Sequence, residues 1–428
     1  MEKDSRPMHP APISCSSSPL RGYAGMQNGL SRRKKTIRDI DVRERRVLVR
    51  ADFNVPLDAD GAIADDTRIR ASLPTIRYLC ERGARVILCS HLDRPDGVVV
   101  ERLRLALVAN RLSVLLDRPV AALQDCVGPE VEGTVAGMNN GDVVLLENLR
   151  FHPEEKVDDP VFAANLAGLA DIYVDDAFGV SHRAHASVVG VPEHLPAVAG
   201  LLLEKEVDTF TRILEDPERP FAAAIGGAKV SDKLAVLEHV ISRVDLLLIG
   251  GGMAATFFAS RGYGTGRSRV ETDSLDAVRD LEAKAAERGV RLLLPRDVVV
   301  AEKLEPGVPV RVVPSTAIPD DRIVADIGPG AADEFCRALA GSRTVVWNGP
   351  MGVFEVPEFA EGTRRIAAAL ATLRGTTVIG GGSTADAVGM FGLADEMTHV
   401  STGGGAALAM LAGKPLPGVE ALDDAGDP

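Results

Sequence analysis

Aromatic residues are scarce: one tryptophan, four tyrosines and twelve phenylalanines make up 4% of the 428 residues. That leaves little material for the base-stacking platforms of single-strand nucleic-acid binders. A positive charge balance is also missing. Lys and Arg number 48 against 61 Asp and Glu, a net charge of −13, so the bulk field attracts neither nucleic acid nor acidic membrane. An anionic ligand must therefore be met by a local basic site. Cysteine is limited to Cys15, Cys80, Cys89, Cys126 and Cys336, an odd count with no C-x-x-C or zinc spacing. This excludes a disulfide framework and fits a reducing compartment. The longest stretch free of charge and strongly polar groups, Leu246–Ala259, carries three glycines. It falls short of the ~18 residues a bilayer span needs. No G-x-x-x-x-G-K-[ST] and no protein-kinase signature occurs; the Gly413–Lys414 pair is followed by proline.

What is present is an ordinary globular composition, 46% apolar and 25% charged. The length suggests two or three domains. The first 35 residues stand apart, with Ser16–Ser18, several prolines, no apolar period and seven Lys/Arg against two Asp/Glu. They are expected to be a disordered extension, or the product of a start called too early, with Met26 the true start. They lack the apolar core of a secretory signal, and Glu2 and Asp4 suit a transit peptide poorly.

From Thr36 onward, short β-branched or leucine runs alternate with helical segments. The pattern predicts strands over Arg46–Phe53, Arg85–Ser90, Asp142–Leu149, Asp171–Ala177, Phe221–Ile225, Asp245–Ile249, Arg291–Val299, Arg322–Asp326, Thr344–Trp347 and Thr376–Ile379. It predicts helices over Thr67–Arg82, Glu101–Leu116, Leu203–Leu214, Asp232–Ser242 and Ser274–Glu287. Near-continuous apolar strands alternating with helices imply parallel sheets in doubly wound α/β architecture. One core rarely grows past ~250–300 residues. Two lobes are therefore expected, with a boundary near 195–220 where prolines flank a charged helix.

In open α/β sheets, ligands bind beyond the carboxyl ends of the strands. In the first half those places carry cations. Arg50 precedes Asp52, Phe53 and Asn54; His91 and Arg94 lie in Ser90–Pro95; Arg150 and His152 follow Leu149; His182, Arg183 and His185 follow Gly179; Arg68 starts a helix. Several such groups on one rim of an acidic protein point to a phosphate or carboxylate ligand. In the second half the strand ends carry glycine: Gly226–Lys229 with Lys233 one turn on, Gly250–Gly252, Asn348–Glu355 and Gly380–Thr384. Such turns bring backbone N–H groups and helix N-termini to phosphate. An anion cup facing a phosphate cradle suggests phosphoryl transfer between two bound substrates. Gly250–Ala255 and Gly380–Ala385 also match the loose dinucleotide pattern, but tight strand–helix packing accounts for them equally well.

Seven segments, Arg50–Pro56, Ser90–Pro95, Glu147–Phe151, His182–His185, Gly226–Lys233, Trp347–Glu355 and Ser401–Gly405, occur in an order and spacing that resembles phosphoglycerate kinase, over roughly Lys35 to Leu422. The resemblance implies an α/β fold of two Rossmann-like three-layer α/β/α lobes with mostly parallel sheets and a cleft between them. The expected division is an extension over 1–35, a 3-phosphoglycerate lobe over 36–200 and an interdomain helix or hinge over 201–216. A nucleotide lobe over 217–402 follows, and then a segment over 403–428 that packs back toward the first lobe and ends in a loose tail. The implied reaction is reversible and Mg2+-dependent: 1,3-bisphosphoglycerate and ADP give 3-phosphoglycerate and ATP. The implied setting is a cytoplasmic monomer with no nucleic-acid or membrane partner. Carried onto this chain, Asp52, Phe53, Asn54, Arg68, His91, Leu92, Asp93, Arg94, Arg150 and Arg183 would surround 3-phosphoglycerate. Lys229, Asn348, Glu355, Gly381, Gly382, Ser383 and Thr384 would hold the nucleotide. Arg50, Lys229 and Lys233 would neutralise charge on the transferring group. No protein base is needed, because the attacking or leaving carboxylate is already ionised.

The chain departs from the family at a few places. Ser383 stands where the family has an aspartate near the nucleotide's Mg2+, and a hydroxyl is a weaker ligand for a hard cation. Asp386, one helical turn on, could compensate, and no protein ligand to Mg2+ is assigned. Asp93 and Asp96 replace the usual glycine and lysine, Gly330 a lysine and Ala409 a glutamate. These departures keep a second reading open: a paralogue with weakened Mg-nucleotide chemistry, acting as a binder or on another acyl phosphate.

Overall fold

The computed structural model describes residues 33–426. The expected extension lies outside the described residues except for Arg33–Lys35. These three pair with the chain's end: Lys34 bridges Asp424, and the Lys35 N–H donates to the Asp423 carbonyl at 2.8 Å.

Six strands build the first sheet: β1 (Arg46–Arg50), β2 (Arg85–Cys89), β3 (Val120–Ala122), β4 (Val143–Leu145), β5 (Ile172–Asp175) and β6 (Ala197–Ala199). Their order is β3-β4-β2-β1-β5-β6, and every pairing is parallel. The second half contributes β7 (Phe221–Ile225), β8 (Leu246–Ile249), β9 (Arg291–Leu293), β10 (Asp297–Ala301), β11 (Val310–Pro314), β12 (Ile323–Ile327), β13 (Thr344–Asn348), β14 (Thr376–Gly380) and β15 (His399–Val400). Six of these form a second parallel sheet, in the order β15-β14-β13-β7-β8-β9.

Burial on both faces explains the unbroken apolar runs. Along β1, Val47 and Val49 pack with Ile69, Leu73 and Ile76 of the helix Thr67–Glu81, while Leu48 packs on the opposite face with Tyr173 and Phe178. The second sheet does the same, with Ala222 and Ala224 on one face and Ala223 and Ile225 on the other. One apolar cluster runs from the first sheet through Leu203, Phe210 and Ile213 of the helix Leu201–Glu215 into the second sheet. The lobes are therefore joined through packed side chains as well as through the chain.

The structure corrects several expected elements. Arg291–Val299 is two strands: Pro295 lacks the N–H a ladder needs, and the chain leaves the parallel sheet there. After it, β10 pairs antiparallel with β11 and β12 in a separate three-stranded sheet. Arg322–Asp326 therefore belongs to this small sheet. The expected helix from Glu101 begins only at Ala106, because Arg104 is extended and bonds through Nη1 to Glu147 at 2.9 Å. The expected strand Asp142–Leu149 stops at Leu145, which frees Glu147–Leu149 to turn toward the rim.

Candidate active site

The strand ends of the first sheet build a cup. Arg50, the last residue of β1, is wholly buried. Its Nε donates to Ser187 Oγ at 2.8 Å, and its Nη2 lies 3.2 Å from His91 Nδ1. Asp52, also buried, accepts from Arg68 Nη1 and sits 4.0 Å from His91 Nδ1. Asn54 Oδ1 accepts the Asp93 N–H at 2.7 Å, which sets the loop after β2 against the loop after β1. Arg150 donates through Nη1 to the Asp93 carbonyl at 2.8 Å, while its buried Nε has no partner among the described residues. Arg94 and Arg183 stand exposed at the lip. Phe53 and Leu92 are core residues beneath the cup. His152 turns away, bonded to Asp125 at 2.7 Å and stacked on Phe162.

The cup's cations feel one another. Burial, then Arg50 and Arg183, push the Arg150 guanidinium down to about 10. Burial, then Arg50, Arg150 and Arg68, drive the His91 imidazole well below its ordinary value. His185 falls to about 4 through burial, Arg50, Arg150 and Arg183. The histidines are thus neutral near pH 7, while Arg150 keeps its charge. Burial beside like charges, rather than an ion pair, sets the character of the cup. Partial compensation lies underneath. Glu155, fully buried, accepts the Ser187 N–H at 2.9 Å and its hydroxyl at 2.7 Å. Asp175, at the end of β5, is pushed up to about 6 by burial, against the pull of the Ala177 N–H and Arg50. Neither was singled out from sequence. Glu155 sits in the run Glu154–Glu155–Lys156, which looks like solvated surface.

The departures beside the cup are accommodated. Asp93 and Asp96 both adopt left-handed backbone, φ 54°, a region that favours glycine and tolerates aspartate. Asp96 pairs with Lys156 Nζ at 2.6 Å, which offsets its charge.

Across the cleft, the glycine turns divide into two kinds. Those after β7, β8 and β13 are stitched together: the Gly227 N–H donates to the Pro350 carbonyl at 3.1 Å, and the Gly251 N–H to the Met351 carbonyl at 3.0 Å. A Cβ at Gly226 or Gly349 would collide with the facing backbone. The dinucleotide-like Gly250–Ala255 is therefore packing. The turn after β14 stays open. Nothing lies within 4 Å of a Cβ built at Gly382, Gly381 has φ 97°, and Ser383 is exposed at the start of the helix Gly382–Met390. Thr384 is buried instead, its Oγ1 accepting the Gly349 N–H at 2.7 Å. Asn348 Oδ1 accepts from Lys233 Nζ, and its buried Nδ2 has no partner among the described residues. Burial pushes Lys233 down to about 8. Lys229 is half-buried nearby in sequence, and Glu355 is exposed.

Asp386, on the helix Gly382–Met390, feels charges from both halves. Burial raises its carboxyl first, Asp65 of the first lobe raises it further, Arg68 opposes, and Glu355 adds to the rise. At the back of the cleft, Glu206 of the helix Leu201–Glu215 is fully buried. It accepts from His399 Nε2 at 2.7 Å, the Thr402 N–H at 2.7 Å and the Thr402 hydroxyl at 2.8 Å. Beyond it, the Gly418 N–H donates to the Ser181 carbonyl at 2.9 Å, returning the C-terminal segment to the first lobe.

Known proteins share this arrangement. A family model described as phosphoglycerate kinase matches residues 37–414. A phosphoglycerate kinase of Moorella thermoacetica is 55% identical over 391 residues, 91% of this chain and 99% of the relative. One of Synechococcus elongatus is 57% identical over 389 residues, 90% of this chain and 97% of the relative. A solved phosphoglycerate kinase from Coxiella burnetii superposes with a TM-score of 0.81 at 38% identity, covering 91% of this chain and 98% of its own. One from Pyrococcus horikoshii gives 0.80 at 34% identity, with 91% and 98% covered.

Proposed function

The chain belongs to the phosphoglycerate kinase family, and from that premise we propose how its own residues divide the work of the family's reaction. It is a phosphotransferase, moving a phosphoryl group from 1,3-bisphosphoglycerate to ADP and back. The first lobe, 36–200, takes 3-phosphoglycerate in the cup. Arg68, His91, Arg94, Arg150 and Arg183 face its anionic groups, and Asp52 and Asn54 its polar groups. Phe53, Leu92 and Asp93 shape the wall. The second lobe, 217–402, takes the nucleotide phosphates between Lys229, Lys233, Asn348 and the open turn Gly381–Thr384, with Glu355 at its edge. Arg50, Lys229 and Lys233 neutralise the transferring group, which carries its charge on oxygens that need cations rather than a base. The helix over 201–216 is the hinge on which the lobes close, and closure excludes water and brings the substrates into line. The C-terminal segment, 403–428, couples the lobes.

The observation that carries this reading is the cup's unmet positive charge, with Arg150 Nε buried and unbonded. The groups around Ser383 fit a magnesium ion carried by the nucleotide. Its hydroxyl and the carboxylate of Asp386, on the same helix, are oxygen donors, as a hard cation prefers. The ion, when bound, screens phosphate charge; the protein's part is to hold the phosphates. A monomer acting in the cytoplasm completes the proposal. The test is phosphoryl transfer by the purified protein with MgATP and 3-phosphoglycerate, beside Ser383→Asp. Turnover by the wild type is expected, with the variant changed by less than about tenfold. An inert wild type whose variant gains activity refutes the proposal.

A further inference from the structure

The loop that follows β3 carries chemistry the phosphoryl transfer leaves unused. Among the described residues, Asp125, Cys126 and His152 place a carboxylate oxygen, a thiol sulfur and an imidazole nitrogen within 4.8 Å of one another. They come from two segments, the loop holding Asp125 and Cys126 and the turn before His152, drawn together by hydrogen bonds. The Glu147 N–H donates to the Asp125 carbonyl at 3.2 Å, and Cys126 Sγ donates to the Glu147 carbonyl at 3.0 Å. His152 reaches the same point from the far side of the Leu149–Phe151 turn, its ring held by stacking on Phe162 at 4.9 Å. Exposure is graded. Cys126 is fully buried, while the side chain of His152 is 26% exposed and that of Asp125 is 54% exposed. A cation can therefore enter past the carboxylate and reach the sulfur. Asp125 Oδ1 already accepts the Cys126 N–H at 2.6 Å and His152 Nε2 at 2.7 Å, so the carboxylate is positioned, and its Oδ2 carries no hydrogen bond from the described residues.

From this geometry we infer that Asp125, Cys126 and His152 form a site for a borderline-soft divalent cation, zinc being the best fit. Sulfur, nitrogen and oxygen at bond lengths of ~2.0–2.3 Å are zinc's ordinary ligands, and in a tetrahedron they stand roughly 3.3–3.8 Å apart. The three ligand atoms now lie within 4.8 Å of one another, and the 2.7 Å contact of His152 with Asp125 would open to admit the ion. A water takes the fourth position. Magnesium and calcium are disfavoured, since both prefer all-oxygen shells. On binding, the Cys126 thiol gives up the proton it now shares with the Glu147 carbonyl, and that proton leaves to solvent; the Nε2 proton that His152 now donates to Asp125 passes to Nδ1, which frees Nε2 for the ion. The site braces the Glu147–His152 turn, the segment that carries Arg150 into the cup, so an ion there stiffens the first lobe beside the substrate.

The test uses the full chain and Co2+ alone as a spectroscopic probe, with Zn2+ as competitor. One equivalent of Co2+ should produce a thiolate-to-metal charge-transfer band and the visible spectrum of four-coordinate cobalt, and Zn2+ should displace both. Cys126→Ser should abolish the charge-transfer band, and Asp125→Asn and His152→Gln should each weaken binding at least tenfold. Cys15→Ser and Cys336→Ser should leave the band intact. Co2+ binding without a thiolate band, or a band that survives Cys126→Ser, overturns the inference. Should Cys126→Ser fail to fold, His152→Gln decides: unchanged Zn2+ affinity in that variant overturns it equally.

Discussion

Replacing Arg150 by methionine separates stability from function in opposite directions. Methionine keeps most of the stem's packing and removes the charge. In the free protein that charge is badly placed. Its fall from 12.5 to about 10, driven by burial and by Arg50 and Arg183, corresponds to roughly 3 kcal/mol of unfavourable surroundings. Against this, the variant loses the bond from Nη1 to the Asp93 carbonyl, a loss of about 1 kcal/mol. The balance is a gain of about 1–2 kcal/mol in the unliganded protein, or a melting temperature raised by about 2–6 °C for a lobe of this size. A depressed guanidinium is disfavoured at every pH below its folded value, here about 10. The gain is therefore flat between pH 5 and 8 and vanishes only in strong alkali. Activity moves the other way. A charge-assisted bond to a substrate anion contributes about 2–3 kcal/mol, so kcat/KM for 3-phosphoglycerate should fall roughly 30- to 150-fold. Thermal melts with and without 3-phosphoglycerate, beside steady-state kinetics, read both effects. The wild type should be stabilised by the ligand and the variant hardly at all. A variant that melts lower than wild type without ligand, or keeps its kcat/KM, refutes the account of the cup as a store of unmet positive charge.

Lys233, pushed down to about 8 by burial, loses its proton as pH rises through that value, so nucleotide affinity should fall above pH 8. Binding there should take up a proton, measurable by calorimetry in buffers of different ionisation enthalpy; Lys233→Arg should flatten the profile and Lys233→Met should lose the affinity at every pH. Glu206→Ala removes three hydrogen bonds and strands the buried His399 and the half-buried Thr402 as donors. It should cost about 2–4 kcal/mol in a denaturant melt and lower kcat more than either KM, because the bonds hold the proposed hinge helix and lie away from the proposed substrate cup. Asp386→Asn relieves its repulsion with Asp65 and Glu355 but removes a hard-oxygen donor. The Mg2+ concentration for half-maximal rate should rise several-fold, and unchanged Mg2+ dependence would place the ion elsewhere.

Much of the fold and the outer shell of the cup were legible because residue type and position coincided. Arginines and histidines gathered at the ends of apolar strands in an acidic chain point to an anion, although one of them, His152, stacks on Phe162 instead. Other features were legible in part. Pro295 stands in plain view within Arg291–Val299, yet the apolar run on both sides of it hides the change of sheet; only the pairing of β10 with β11 and β12 shows where the chain goes. The glycine turns misled in a different way. Gly226, Gly251 and Gly349 lie at phosphate-binding positions by sequence, but their missing side chains serve the close approach of three loops to one another. Only Gly381–Thr384 keeps an open face. The counter-charges were not legible at all. Arg50 can be wholly buried because Glu155 lies beyond Ser187 and Asp175 lies at the end of the neighbouring strand. A carboxylate so far along the chain announces nothing by its local pattern, since its partner is chosen by the register of β1 against β5. The inner layer therefore has to be present for the outer one to act. Without Glu155 and Asp175, Arg50 would be an uncompensated buried charge, a penalty of several kcal/mol. With them, enough positive charge survives on Arg150, Arg68 and Arg183 to receive a substrate anion. On the proposed function, the cup's affinity is set by this partial compensation, which belongs to the sheet and not to any one motif.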